Sequence, residues 1–219
     1  MDTLDLTQRR ERLEVHIGAG ITSFPDADDL RRDTTYVSID NNNARLDGII
    51  ALMMKDAERQ YDCRFITRSG TDTGLPDTCA DNVRILNVLN SDDARYDREA
   101  QTLYGTGLAP FETRILTEAR RIVRPHGVIY VGANNTPFQF TLEDVQDIAA
   151  ELRLAVEVLF YQPPGCLPPS ASPDHYHDIA YSHAFQRQRP FPSDSYMVAL
   201  RKQLADTLHC PPCRTASTS

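Results

Sequence analysis

Residues 13–20 read LEVHIGAG, and residues 36–40 read YVSID. Both are short apolar runs, and the first ends in a turn of two glycines around an alanine while the second ends at Asp40. Runs of this kind are typical of strands that are buried on both faces. Glycines after a strand let a ligand approach the backbone, and a carboxylate at the end of the next strand can accept both hydroxyls of a ribose. The two runs predict a bound nucleoside; the alternative, a tight turn plus a helix-capping aspartate, would need no ligand.

The rest of the chain continues the alternation of strands and helices. Further strands are predicted over residues 65–67, 83–89, 128–131, 156–161 and 196–200. Helices are predicted after Pro25 and over residues 46–53, 111–123 and 142–152. We expect the third helix to end at Pro125 and Gly127, and the fourth to open on a capping box of Thr141 and Asp144. Because parallel neighbours need a long crossover connection, this alternation predicts a mostly parallel sheet that is covered by helices on both faces.

The length and the proline distribution predict the domain organisation. The 219 residues fit one globular domain, which we expect to span residues 1–205, with residues 206–219 as a flexible tail. Residues 162–194 hold seven of the fourteen prolines, which disfavours a regular helix there. This segment is therefore expected to be a lid over the site or a surface crossover.

Charge and hydropathy exclude several classes of partner. The net charge of -8 and the isoelectric point of about 5.2 provide no basic surface for a nucleic acid or an anionic membrane. The sequence shows neither a secretory signal nor a run of about 20 apolar residues, so we expect a cytoplasmic protein. The five cysteines are odd in number and scattered, which is typical of reduced thiols rather than a disulfide framework.

Four segments carry a resemblance to a known family: Glu14–Thr22 (EVHIGAGIT), Tyr36–Asn42 (YVSIDNN), Gly74–Leu89 (GLPDTCADNVRILNVL) and Leu116–Gly132 (LTEARRIVRPHGVIYVG). In this order they resemble class I S-adenosylmethionine-dependent methyltransferases, over about residues 13–202. The resemblance implies a Rossmann-like, doubly wound α/β fold with a mostly parallel seven-stranded sheet and a reversed last strand. The run SYMVALRK at Ser195–Lys202 is well placed for that strand. The resemblance also implies an enzyme that transfers the methyl group of S-adenosylmethionine.

Carried over position by position, the resemblance implies these cofactor-binding residues: His16, Gly18, Ala19, Gly20, Asp40, Asn41, Asp72 and Asn87. The glycine-rich turn would lie beside the methionyl part, Asp40 would hold the ribose, and Asn41 would lie near the adenine. Asp72 could bind the adenine amino group and Asn87 could contact the cofactor backbone. For these last two, an ordinary turn aspartate and a polar residue at a strand end are equally good interpretations.

Three positions depart from the family pattern. His16 stands where the family usually has an acid, and Thr22 replaces the usual third glycine. These two departures leave open a non-catalytic, methyltransferase-like binding subunit. His126 interrupts the family's Pro-Gly-Gly turn, but that turn is expected at the edge of the sheet opposite the ligand.

The glycine turn and the ribose acid also occur in nicotinamide-dependent oxidoreductases, which are therefore an alternative. This chain, however, has little room for a separate substrate domain and no Tyr-x-x-x-Lys pair.

The expected chemistry needs few protein groups. Methyl transfer from a sulfonium is an in-line displacement, which depends mainly on alignment of the reactants and exclusion of water. We therefore predict no specific catalytic residue; His175, His177 and His183 are general-base candidates only if the acceptor is a hydroxyl. Cys210 and Cys213 form half of a zinc signature, which is too little to predict a metal.

The acceptor itself is the least specified part of the site. Because the first strand begins so early in the sequence, we expect no N-terminal helical cap over the acceptor. We therefore expect the acceptor pocket to be formed by residues 91–110 and 162–194. The acidic balance favours a small molecule or a protein as the acceptor, and of the two we predict a small molecule. A homo-oligomer is compatible with the sequence.

Overall fold

A seven-stranded sheet forms the centre of the computed structural model. The structure describes residues 6, 9–18, 31–41, 62–86, 88–89, 109–133, 140–163 and 195–203. The strands are β1 Arg12–Ile17, β2 Thr34–Asp40, β3 Asp62–Thr67, β4 Ala80–Leu86, β5 Val123–Ala133, β6 Leu154–Gln162 and β7 Ser195–Lys202. The described helices are α1 Phe111–Ile122 and α2 Leu142–Glu151.

The order of the strands confirms the predicted topology. Across the sheet the order is β3-β2-β1-β4-β5-β7-β6. The first five strands of this order pair in parallel, and β7 pairs antiparallel with both β5 and β6. The sheet is thus Rossmann-like and mostly parallel with a reversed last strand. The chain moves outward from β1 to β3 and then returns to add β4 on the other side of β1, which places the topological switch point between β1 and β4.

Among the described residues, one face of the sheet forms the main core. Along β1, Leu13, Val15 and Ile17 are buried, and they belong to one apolar cluster with residues of β2, β4, β5, β7 and the two helices. Because side chains alternate along a strand, Glu14 lies on the other face. There Arg84 forms an ion pair of 3.3 Å with Glu14, so this second face is polar where β1 and β4 meet.

Several predicted boundaries were wrong, and β3, β5, β6 and β7 all extend beyond the residues predicted for them. The strand predicted over residues 83–89 is Ala80–Leu86, because Ala80 already pairs with Val123 of β5. Val88 and Leu89 lie beyond the end of the strand but are buried. Their apolar side chains therefore belong to the core although their backbone is not paired in the sheet.

The helix predicted to reach residue 123 ends at Ile122, and β5 begins at Val123 and runs through Pro125 and Gly127. The backbone of Val123 is extended (φ -70°, ψ 142°). The residue before a proline disfavours helical geometry, so a helix turn at Arg124 would be strained. A register irregularity between Ala80 and Asn82 accommodates the turn within the β4–β5 pair.

The start of α2 confirms the predicted capping box. The backbone N–H of Asp144 donates to Oγ1 of Thr141 at 3.2 Å, and the backbone N–H of Thr141 donates to Oδ2 of Asp144 at 2.7 Å. Two amides that the helix leaves unpaired thereby gain partners. Caps of this kind contribute about 1 kcal/mol to the free energy of unfolding.

Several predicted features lie outside the described residues. These include the helices after Pro25 and over residues 46–53, most of the acceptor-pocket segment 91–110, and the tail 206–219 with its two cysteines. Gln162 is the last residue of β6, so the proline-rich connection begins one residue later than predicted, and residues 164–194 are likewise outside the described part. Neither described helix is long and apolar enough to cross a membrane.

Candidate cofactor site

The carboxyl ends of the first three strands meet at one edge of the sheet. The backbone N–H of Gly18, directly after β1, donates to the carbonyl oxygen of Ile39 in β2 at 2.7 Å. The backbone N–H of Arg68, directly after β3, donates to the carbonyl oxygen of Asp40 at 3.1 Å. These two hydrogen bonds place the start of the glycine turn, the predicted ribose acid and the β3–β4 connection side by side.

Gly18 is a position where the fold requires glycine. Its φ is +68°, a left-handed conformation that disfavours side chains. A Cβ added there would lie 2.4 Å from Cγ2 of Val88, which follows the end of β4. The backbone after β1 therefore lies directly against the residues after β4, at the switch point where ligands bind in sheets of this kind.

The β3–β4 connection, residues 68–79, lies against the same edge. A Cβ added at Gly70 would be 2.4 Å from Cγ2 of Ile17 and 3.4 Å from Cδ1 of Ile115. The connection therefore packs between the end of β1 and helix α1. It contains no helix, and it carries the exposed Asp72.

A buried carboxylate on α1 ties this connection to the core. Glu118 is 7% exposed, and its Oε1 accepts from the backbone N–H of Thr73 at 2.9 Å and from the Thr73 hydroxyl at 2.6 Å. Arg121 donates to both carboxylate oxygens of Glu118 at 2.7 Å and also pairs with Asp77. Burial alone would raise the pKa of Glu118, but the hydrogen bonds from Arg121 and Thr73 outweigh it and lower the pKa below its ordinary value.

Four of the predicted site residues belong to segments that meet at this edge of the sheet. Gly18 follows β1, Asp40 ends β2, Asn41 follows it, and Asp72 lies in the connection that meets both strands. His16 is 9% exposed and lies on the polar face of β1, between Ser38 of β2 and Arg84 of β4. Its role, like the roles of the others, stays a prediction.

The remaining three predicted residues, Ala19, Gly20 and Asn87, lie outside the described part of the chain.

A cavity of about 570 Å³ lies at the opposite edge of the sheet. Its lining comes from the amino ends of β1, β4 and β5: Arg12, Asp81, Asn82, Arg124, Pro125, His126, Gly127, Val128 and Tyr130. Ligands of parallel α/β sheets bind at the carboxyl ends of the strands, so this cavity is separate from the candidate cofactor site. It contains the Pro-His-Gly turn, which places His126 far from the predicted ligand.

Sequence reasoning missed the contact between Thr73 and Glu118. One signal was present: Glu118 lies three residues after Ile115 and four before Ile122, on the apolar face of the predicted helix. A charged residue on such a face needs a buried partner. That partner, 45 residues away in sequence, left no local signal.

No protein-family model and no curated protein matches this sequence. Solved structures do match. The chain superimposes on the YcgJ protein from Bacillus subtilis with a TM-score of 0.57 at 11% identity, covering 90% of this chain and 94% of that one. It also superimposes on the CurJ carbon methyltransferase (TM-score 0.55, 13% identity, covering 91% of this chain and 50% of that one).

A third match is the arsenic(III) S-adenosylmethionine methyltransferase from Chlamydomonas reinhardtii (TM-score 0.55, 15% identity, covering 90% of this chain and 64% of that one). The chain therefore spans about half the length of the CurJ chain and less than two thirds of the Chlamydomonas chain. At these identities the likeness establishes the fold.

Proposed function

We propose that this chain, which has the fold of the class I S-adenosylmethionine-dependent methyltransferases, binds S-adenosylmethionine and transfers its methyl group to a small molecule. One observation carries the proposal: Gly18, Asp40 and the connection that holds Asp72 meet at the switch point between β1 and β4. This is the place where a nucleoside binds in a doubly wound sheet.

The groups at this edge fit the cofactor. S-adenosylmethionine presents two ribose hydroxyls and an adenine amino group, all of which donate hydrogen bonds. Asp40 and Asp72 are carboxylates, which accept hydrogen bonds, and the amide of Asn41 can both donate and accept them. The glycine at position 18 allows the left-handed turn that ends β1 beside Val88.

Bound S-adenosylmethionine supplies an activated methyl group on a sulfonium. The acceptor would form its bond to the methyl carbon and release a proton, while the carbon–sulfur bond would break and leave its electrons on the sulfur as a thioether. The part of this chain is to hold the nucleoside at the carboxyl edge and to align the acceptor with the methyl group.

The acceptor is proposed to be a small molecule, with a protein as the alternative. The net charge of -8 disfavours only nucleic acids. A homo-oligomer is compatible with this proposal.

We expect Asp40→Ala to weaken the binding of S-adenosylhomocysteine by about 1.5 to 3 kcal/mol, which is about ten- to a hundredfold in Kd. The reason is the loss of charge-assisted hydrogen bonds to the ribose. Isothermal titration calorimetry on the full chain measures the effect. Asp33→Ala is the matched control, because Asp33 is exposed just before the amino end of the same strand.

An Asp40→Ala protein that stays folded and binds as tightly as the wild type would contradict the ribose assignment. Tighter binding of NAD than of S-adenosylhomocysteine would favour an oxidoreductase. Cofactor binding without methyl transfer to any of a panel of small acceptors would favour a non-catalytic binding subunit.

A further inference from the structure

The β3–β4 connection is held at three points, although it contains no helix. Near its start, the guanidinium of Arg68 lies directly against Gly74, where a Cβ would be 2.3 Å from Nη1. In its middle, Thr73 is bound through two hydrogen bonds to Glu118. Near its end, the backbone N–H of Thr78 donates to the carbonyl oxygen of Arg121 at 3.0 Å. The first contact lies within the connection, and the other two fix it to helix α1.

The residues next to the anchor differ in burial. Thr73 and Leu75 are buried, whereas their neighbours Asp72 and Gly74 are exposed. Asp72 thus directly precedes the anchored Thr73 and is itself exposed, so the anchor limits how far the backbone of Asp72 can move. A turn closed by the Asp72 N–H and the Ser69 carbonyl oxygen, at 3.1 Å, limits the movement of Asp72 further.

Glu118 is suited to hold the connection rigidly. Its two oxygens accept four hydrogen bonds, two from Thr73 and two from Arg121, and all four are 2.9 Å or shorter. Hydrogen bonds to a charged acceptor are about twice as strong as neutral ones. The carboxylate is also buried, so water competes weakly for these bonds.

We propose that Glu118 is a positioning residue for adenine recognition: through Thr73 it holds Asp72 where the carboxylate meets the amino group of the bound nucleoside. This inference rests on the proposed function, since it takes Asp72 as the residue that binds adenine. Preorganisation of this kind improves binding because the ordering of the segment is already complete before the ligand arrives. Without the anchor, part of the binding free energy would go into ordering the connection.

The test compares two ligands on the full chain. S-adenosylhomocysteine carries the adenine amino group, and S-inosylhomocysteine carries a carbonyl oxygen in its place. A carboxylate held against position 6 accepts a hydrogen bond from the amino group of the first and repels the carbonyl oxygen of the second, whose N1–H compensates only in part. The wild type should therefore prefer S-adenosylhomocysteine by about tenfold in Kd. Calorimetric titrations of each variant give this preference, and circular dichroism confirms that each variant is folded.

Thr73→Val removes the hydroxyl that binds Glu118 and keeps the shape of the side chain. We expect it to reduce the preference to about threefold or less, close to that of Asp72→Ala, while the affinity for S-inosylhomocysteine stays within about twofold of the wild type. Glu118→Gln should act in the same direction. Thr73→Ser keeps the hydroxyl and should retain the preference, as should Thr117→Val on the exposed face of α1.

The possible failures are distinguishable. A wild type that binds neither ligand would overturn the proposed function, and this inference with it. A Thr73→Val protein that keeps the full preference while Asp72→Ala loses it would overturn the role of Glu118 and leave the cofactor site standing. Equal weakening of both ligands by Thr73→Val would show a merely structural contact, and an unchanged preference in Asp72→Ala would refute the adenine role of Asp72.

Discussion

Glu118→Ala should lower the free energy of unfolding by about 3 to 4 kcal/mol, which makes it one of the two most destabilising changes that we predict. The substitution leaves the buried N–H and hydroxyl of Thr73 without their acceptor, and each buried donor of this kind costs about 1 to 3 kcal/mol. It also removes the main partner of Arg121. Arg121 is about one third exposed and keeps Asp77, so the penalty for its charge stays moderate.

Urea unfolding followed by circular dichroism measures this change. Glu151→Ala is the matched control, because Glu151 is an exposed glutamate at the end of helix α2. Its replacement should change the free energy of unfolding by less than about 0.5 kcal/mol. A similar effect of the two substitutions would show that the Glu118 contacts contribute little.

The stability gap between the wild type and Glu118→Ala should also depend on pH. The pKa of Glu118 in the folded protein lies below its ordinary value of 4.5, since the hydrogen bonds from Arg121 and Thr73 outweigh the effect of burial. The contribution of Glu118 is therefore complete above about pH 4.5 and is lost as the pH falls through the lower, folded-state pKa. Asp62, whose pKa is likewise lowered by Arg64 and Thr35 against the effect of burial, is present in both proteins and cancels in the difference.

A constant gap from pH 7 down to pH 3 would contradict this account. Such a result would mean that the Glu118→Ala substitution destabilises the fold through lost packing and not through the loss of the carboxylate charge.

The parts of the fold that were predicted correctly depend on neighbouring residues. The capping box needs only Thr141 and Asp144, three residues apart, and both hydrogen bonds are present. The turn at Gly18 and the position of Asp40 at the end of β2 also follow from short patterns. The direction of β7 could not be predicted from such a pattern, because an apolar strand has the same pattern in either direction. Its reversal could be expected only from the family resemblance.

The parts that were missed depend on contacts between distant residues. The end of β4 was placed too late, because Val88 and Leu89 are buried by packing without being paired as a strand. The start of β5 was placed too late because Val123 pairs with Ala80, 43 positions earlier. The Glu118 anchor was missed for the same reason, since its partner Thr73 precedes it by 45 positions. Local patterns identify the elements, whereas long-range pairing decides where they end.

Gly127→Ala should destabilise the fold by about 3 kcal/mol. A Cβ at this position would lie 2.5 Å from the carbonyl oxygen of Asp81 and 3.2 Å from that of Ala80. Both atoms belong to the backbone of β4, which cannot move without disturbing the bonds that Asp81 makes to the N–H of Leu13 at 2.8 Å and to Arg124 at 2.6 Å. Overpacking of a core costs about 1 to 3 kcal/mol, and weakened hydrogen bonds add about 1 kcal/mol each.

Gly132→Ala, in the same strand, is the matched control. A Cβ there would lie 3.1 Å from Cδ2 of Leu86 and 3.3 Å from Cε of Met197, the ends of side chains that can turn away. We expect its cost to be below about 1 kcal/mol, so equal destabilisation by the two alanines in urea unfolding would contradict the backbone clash.

Because Gly127 lies at the edge opposite the candidate cofactor site, folded Gly127→Ala protein should bind S-adenosylhomocysteine with unchanged Kd. A loss of affinity with the fold intact would instead connect the Pro-His-Gly turn to the ligand. Unchanged affinity would mean that this turn specifies the sheet and not the chemistry.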